Sequence, residues 1–102
     1  MVLPIIAGII IFLVGLVAFN YQSILVDVIG QFIQLRPDDS EGWLYYGTLL
    51  DRAGYHLEAL DALKRAVTIS PNYSAAWRKM GDVFRTLGDD NSAFEAYRFS
   101  ES

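Results

Sequence analysis

The sequence contains no cysteine, which excludes disulfide frameworks, thiolate metal sites and cysteine nucleophiles together. Charge is missing from the whole N-terminal quarter. No Asp, Glu, Lys or Arg occurs before Asp27, so all 20 charged side chains fall among the 76 residues from Asp27 to Ser102. That remainder carries the charged fraction of an ordinary soluble domain, about a quarter, and is too short for more than one small domain. Basic runs are also absent and the formal net charge is −4, which argues against nucleic acid, whose phosphates need a clustered positive face. His56 is the only histidine, and without a second histidine or a cysteine it cannot build a metal site, so it is expected to fill a structural position. There is no Gly-x-x-x-x-Gly-Lys loop and no Gly-x-Ser-x-Gly elbow, the phosphate cradle and the exposed serine nucleophile that those patterns would supply. Glu58 with Asp61, Asp38 with Asp39 and Asp89 with Asp90 read as solvated faces and helix caps rather than acid–base pairs. No catalytic residue, cofactor or metal ligand is expected.

What is present at the N-terminus is an apolar run. Val2 to Phe19 is eighteen residues without a charged or polar side chain, about 27 Å of helix, just enough for the hydrocarbon core of a bilayer. The run fades through Asn20, Tyr21, Gln22 and Ser23, which places Tyr21 near headgroup level. Pro4 falls in the first turn, where it removes no helical hydrogen bond. A cleaved signal peptide would show a basic side chain before the run and a small-x-small site after it, and Val17-Ala18-Phe19-Asn20 is a poor site. Residues 1–26 therefore read as an uncleaved single-span anchor. Gly8 and Gly15 are seven apart, on one stripe with Gln22 and near Ala18. This is either a face for close docking of another transmembrane helix, with Gln22 as a hydrogen-bonding group, or simply the usual small-residue content of a span. Arg36 is the only basic residue within about 20 residues of the run and it follows the run, which points to a cytoplasmic domain.

The polar piece repeats itself at an offset of 34 residues. Pro37 recurs as Pro71, Trp43 as Trp77, Gly47 as Gly81, Gly54 as Gly88, Ala59 as Ala93, and the bulky Leu63 as Tyr97. Trp43, Tyr46 and Leu50 make one amphipathic stripe and Ala59, Leu63 and Ala66 a facing one. Gly47 and Ala59 are small enough for two antiparallel helices to close, Gly54 suits the left-handed residue that ends a helix, and Pro71 stops the next. Asp38, Asp39, Ser40, Asn72 and Ser74 are cap material. Helices are expected near 41–53, 57–70, 74–87 and 90–100. The stretch Ile29 to Arg36 stands before Pro37 as Leu63 to Ser70 stands before Pro71, so it should act as the second helix of a preceding unit and pack on the Trp43 helix. With no Gly/Ser/Pro-rich linker, residues 27–36 form a helical junction and the anchor should run stiffly into the domain.

The order, spacing and types of Trp43, Tyr46, Gly47, Leu50, Gly54, Ala59, Leu63, Ala66 and Pro71, and again of Trp77, Met80, Gly81, Phe84, Gly88, Ala93 and Tyr97, resemble the tetratricopeptide repeat. The fold expected is all-α: a transmembrane helix followed by a short helix-turn-helix solenoid over 37–102, with repeats at about 40–73 and 74–102. The resemblance implies no enzymatic activity and assigns the first helix of each pair to a concave groove. Leu44, Thr48 and Arg52, with Glu41 and Asp51, then Arg78, Asp82 and Arg85 would face it. Arg78, Asp82 and Arg85 are spaced to pair with one another, so the groove is either a grip for a peptide or a self-satisfied solvated face. Co-chaperone members clamp a C-terminal carboxylate with Lys and Asn where Leu44 and Thr48 stand here, so that activity is not expected.

Solenoids of this kind usually need three repeats and a polar cap, and Phe94, Tyr97 and Phe99 have no obvious cover in the sequence, which marks a third candidate surface. These features predict a single-pass accessory, scaffolding or assembly subunit whose partners are other membrane-protein subunits or a second protomer. The alternatives are a membrane-tethered receptor for soluble peptide segments, and a secreted adaptor with a cleaved leader.

Overall fold

The computed structural model describes residues 1–102, the side chain of Phe19 excepted. Five helices follow one another: α1 Val2–Leu35, α2 Ser40–Arg52, α3 His56–Ile69, α4 Ser74–Thr86 and α5 Asp90–Glu101. The last four lie within a residue or so of their expected bounds, because the 34-residue period locates turns as well as helices. α1 continues without interruption from the apolar run to Leu35, since no breaker falls between Pro4 and Pro37.

The two ends of α1 live in different surroundings. The described side chains from Val2 to Ile24 are exposed, whereas Ile33 is buried at 2% exposure. The end of α1 docks on α2 as expected of a preceding second helix. Ile33 lies where a Cβ on Gly42 would come within 2.5 Å of its Cδ1, and Gly30 faces the Tyr46 ring in the same way at 3.1 Å from the hydroxyl. Val26 joins Trp43 and Tyr46 around buried Leu50, Ala59 and Ala62. α2 therefore runs antiparallel to the tail of α1.

α3 is the centre of the domain. Ala59, Leu60, Ala62, Leu63, Ala66 and Val67 are all buried, and Leu60, Leu63 and Val67 pack with Ala76, Met80 and Val83 of α4. The alanine and glycine positions set the spacing: a Cβ on Gly47 would lie 2.9 Å from Leu63 Cγ and 3.2 Å from the Ala59 carbonyl oxygen. In the second repeat the matching space at Gly81 is taken by the ring of Tyr97.

Both helix-turn-helix corners close in the same way. Gly54 has φ +92° and Gly88 φ +84°. Tyr55 N–H donates to the Leu50 carbonyl and Gly54 N–H to that of Asp51, and Asp89 and Gly88 donate likewise to Phe84 and Arg85. This double closure satisfies two otherwise orphaned carbonyls and requires a left-handed residue between. Gly54→Ala should cost about 1 kcal/mol, the strain of a left-handed L-residue, readable as a lowered urea midpoint with an unchanged slope.

The helix starts divide between side-chain caps and bare ones. Asp39 caps α2 through Gly42 N–H, and Asp89 caps α5 through Ser92 N–H. Asn72 and Ser74, expected as caps of α4, are not: its N-cap is Tyr73, without a side-chain bond. Ser40, also expected as cap material, is the first residue of α2 and accepts a hydrogen bond from the Ser70 hydroxyl at 2.9 Å. Trp43 Nε1–H donates to the Pro37 carbonyl at 2.8 Å and Trp77 Nε1–H to that of Pro71 at 2.7 Å. The recurring proline and tryptophan are thus one unit that ties each entry loop to the helix it precedes.

Candidate functional site

Three surfaces were expected to carry function: the groove of the first helices, the small-residue face of α1, and the aromatic side of α5. On the groove helices, Leu44 is half-buried against the α3–α4 core and Thr48 donates its hydroxyl to the Leu44 carbonyl at 2.9 Å. Arg52, Arg78 and Arg85 are exposed and Asp82 is half-buried. The expected pairing of Arg78, Asp82 and Arg85 does not form. Among the described residues the ion pairs are Asp51 with His56, Asp51 with Lys79, and Glu95 with Arg98. Asp82 instead accepts a hydrogen bond from the Tyr97 hydroxyl at 2.5 Å, because the absence of a side chain at Gly81 admits the Tyr97 ring. That bond to Asp82, then burial and the Asp82 charge, push the Tyr97 phenol above its ordinary value, with Arg85 opposing. Arg85 stands over the same ring, 6.0 Å from its centroid. Two guanidinium groups on α4, at Arg78 and Arg85, are left without a carboxylate partner among the described residues.

A three-helix link that no sequence pattern announced lies beside them. Asp51, at the end of α2, accepts from His56 Nδ1–H at 2.6 Å and from Lys79 Nζ at 2.8 Å, so one carboxylate joins α2, the start of α3, and α4. Burial alone would raise the Asp51 carboxyl. The hydrogen bonds and charges of Lys79 and His56 outweigh burial and hold it below its ordinary value near 3.8. A carboxyl depressed by folding contributes stability above its unfolded value and loses it as pH falls through its folded one. The wild-type chain should therefore melt higher than Asp51→Asn at neutral pH, with the gap closing below about pH 4; thermal melts of both proteins across that range check it. Expected as structural filler, His56 is one arm of this link. Among the described residues no group of three His, Asp or Glu side chains is placed to hold a metal ion.

On α1, Gly8 and Gly15 are open: nothing lies within 4 Å of a Cβ built on either. Ala18 and Gln22 are exposed, and Gln22 shares a small cleft with Ser23, Ala53 and Tyr55. At 100° per residue, Gly8, Gly15, Gln22, Val26 and Ile33 fall on one side of the helix, so the small-residue face continues the face that docks on α2. On α5 the three aromatics separate. Phe94 is 66% exposed, while Phe99 is 49% exposed and stacks on Trp77 with ring centroids 4.8 Å apart. Tyr97, expected on an uncovered end, points between α4 and α5 instead. Phe99 repeats the place of Arg65, whose guanidinium covers Trp43 at 5.0 Å. Trp77, Met80, Phe84, Ala96 and Phe99 line an apolar cleft of about 290 Å³.

Comparison with known proteins bears on the fold that carries these surfaces. The tetratricopeptide repeat family model matches residues 40–83. A TPR repeat-containing protein of Dictyostelium discoideum is 32% identical over 65 residues, 64% of this chain and 25% of that protein. Crystal structures of MamA superpose with TM-scores of 0.74 and 0.75 at 18% and 20% identity, the latter from AMB-1, covering 79% and 80% of this chain and 47% and 45% of theirs. At that identity the likeness is one of fold. The chain spans a quarter of the Dictyostelium protein and about half of the MamA chains.

Proposed function

We propose, for a chain whose helical domain belongs to the tetratricopeptide-repeat family, a non-enzymatic role as a membrane-anchored accessory, scaffolding or assembly subunit of a membrane protein complex. The fold is one that binds other proteins, and α1 is long and apolar enough to cross a bilayer. The observation that carries the reading is the continuity of α1. One helix supplies both the apolar run and the buried Ile33 that docks on α2, so span and domain move as one body. A loosely tethered binding domain would have no use for that stiffness, whereas a subunit that must hold a fixed pose between lipid and a neighbouring protein does. In this reading 1–26 is the anchor, 27–36 the junction and 37–102 the interaction domain, on the cytoplasmic side by virtue of Arg36. Gly8, Gly15, Ala18 and Gln22 meet a partner helix, and Phe94 and Phe99 meet a partner domain or second protomer.

The test is mild-detergent extraction of native membranes, then size separation and mass spectrometry of what travels with the chain. Migration in a stoichiometric complex is expected. Migration alone, or as a small homo-oligomer, would overturn the subunit role. In such a complex, Gly8→Leu with Gly15→Leu should lower co-migration by obstructing close helix approach.

A second reading, a membrane-tethered receptor for soluble peptide segments, is favoured by Arg78 and Arg85, which Asp82 leaves unpaired by turning to Tyr97. Two exposed guanidinium groups on one helix face suit an acidic segment. Arg78→Glu with Arg85→Glu separates the readings. A receptor loses its ligand, while a subunit held through its span assembles as before.

A further inference from the structure

We propose that the turn between α2 and α3 is a second membrane contact, with Tyr55 and Leu57 lying in the headgroup layer of the bilayer that α1 crosses. This contact rests on α1 being a span, and it adds a lipid-facing edge to the soluble domain.

The antiparallel pairing of α1 and α2 fixes the depth of that turn. Ile33 meets Gly42, Gly30 meets Tyr46, Val26 shares a cleft with Leu50, and Ser23 shares the same cleft with Tyr55. Each step along α2 away from Ser40 is a step along α1 towards the apolar run. Tyr55 also lines a second cleft with Gln22, Ser23 and Ala53. Val2 to Tyr21 covers about 30 Å of helix, the thickness of a hydrocarbon core, and Gln22 to Val26 covers the next ~7.5 Å, close to one headgroup layer. Tyr55 stands at that level.

The chemistry of the turn, two exposed apolar side chains among charged ones, suits a headgroup layer. Tyr55 is 50% exposed and Leu57 67%. Leu57 is the second residue of α3, and helical side chains lean towards the helix N-terminus, here the side of the apolar run. Tyr21, 61% exposed, stands at the same depth one residue before Gln22, on another face of α1, and tyrosines gather where hydrocarbon gives way to headgroups. Arg52, exposed at the end of α2, adds a basic group suited to lipid phosphate. Asp51, at that end of α2, is matched by Lys79; the exposed carboxylates Asp27 and Glu58 share the cleft of Ser23 and Tyr55, which sets the turn among charged headgroups and not in the hydrocarbon.

The absence of native cysteine allows a direct test with single-cysteine variants of the full chain. Leu57→Cys, Asn72→Cys and Ile10→Cys, each at an exposed position, would be labelled with a small fluorophore. Each would be reconstituted in phosphatidylcholine vesicles carrying nitroxide on the headgroup or on the acyl chain. Asn72 lies at the other end of α3, whose 14 residues span about 21 Å. Headgroup nitroxide should quench the label at 57 about threefold more than that at 72, given a headgroup layer only some 5–7 Å thick. Acyl-chain nitroxide should quench the label at 10. Quenching at 10 with equal, weak quenching at 57 and 72 overturns the lipid contact and leaves the span intact. No quenching at 10 overturns both. A label at 57 that is shielded from aqueous iodide yet unquenched by headgroup nitroxide is covered by protein, which also overturns the lipid contact.

Discussion

Leu63→Ala should remove 2–5 kcal/mol of stability, about the range seen for leucine truncation in a closed core, and bring the urea midpoint of the repeat domain down in proportion. Leu63 has no exposed surface. It fills the space that Gly47 leaves between α2 and α3 and also packs in the cluster that reaches Ala76, Met80 and Val83 on α4. A cavity there cannot collapse easily, because α2 and α3 are already so close at this point that a Cβ on Gly47 would lie 3.2 Å from the Ala59 carbonyl oxygen. A domain of this length is stable by roughly 4–11 kcal/mol, so the loss is a large part of the whole. The matching change in the second repeat, Tyr97→Ala, should cost less. Tyr97 is only half-buried and its hydroxyl bond to Asp82 lies near solvent. Urea unfolding followed by circular dichroism in detergent micelles checks both. A smaller loss for Leu63→Ala than for Tyr97→Ala would mean that α3 is not the centre of the fold.

That contrast shows what periodicity can and cannot convey. An offset of 34 residues aligns Leu63 with Tyr97 and Gly47 with Gly81, and it located four helices and both left-handed glycines. The same offset gave the tail of α1 its role, since Ile33 stands where Val67 does, and both are buried. Polar contacts obey no such period. Asp82 lies three and four residues from Arg85 and Arg78, a spacing that favours ion pairs on an isolated helix. A ring arriving from α5 displaced them, and only the packing at Gly81 reveals it. Asp51, His56 and Lys79 belong to three helices at separations of 5 and 28 residues, so no rule confined to one helix could have joined them. The tryptophan–proline bonds were half visible. The two residues recur together, but the proline reads as a helix stop until the indole is seen on its carbonyl.

Ile33→Asp should separate the apolar run of α1 from the domain without unfolding the domain. Ile33 is 2% exposed and abuts Gly42, while the neighbouring docking contacts are Gly30 on Tyr46 and Val26 in the Leu50 cluster. An uncompensated buried charge costs about 3–5 kcal/mol, more than this short interface can absorb, so the end of α1 should lift away and bring the introduced carboxylate into water. Leu60, Leu63 and Val67 pack on α4 rather than on this contact and keep that packing. Hydrogen exchange should therefore quicken across residues 26–35 and the start of α2, with α3 and α4 unchanged, while Ile33→Leu, a volume-conserving swap, should cost less than about 1.5 kcal/mol. If the chain is the anchored subunit proposed above and a fixed pose is what its continuous helix provides, Ile33→Asp also lowers co-migration with a membrane complex although both halves remain folded. The label at Leu57→Cys then loses its quenching by headgroup nitroxide as the turn swings free. Retained assembly with the label released would mean that the span alone recruits the chain, and that the stiffness of the junction serves only to hold the domain on the lipid.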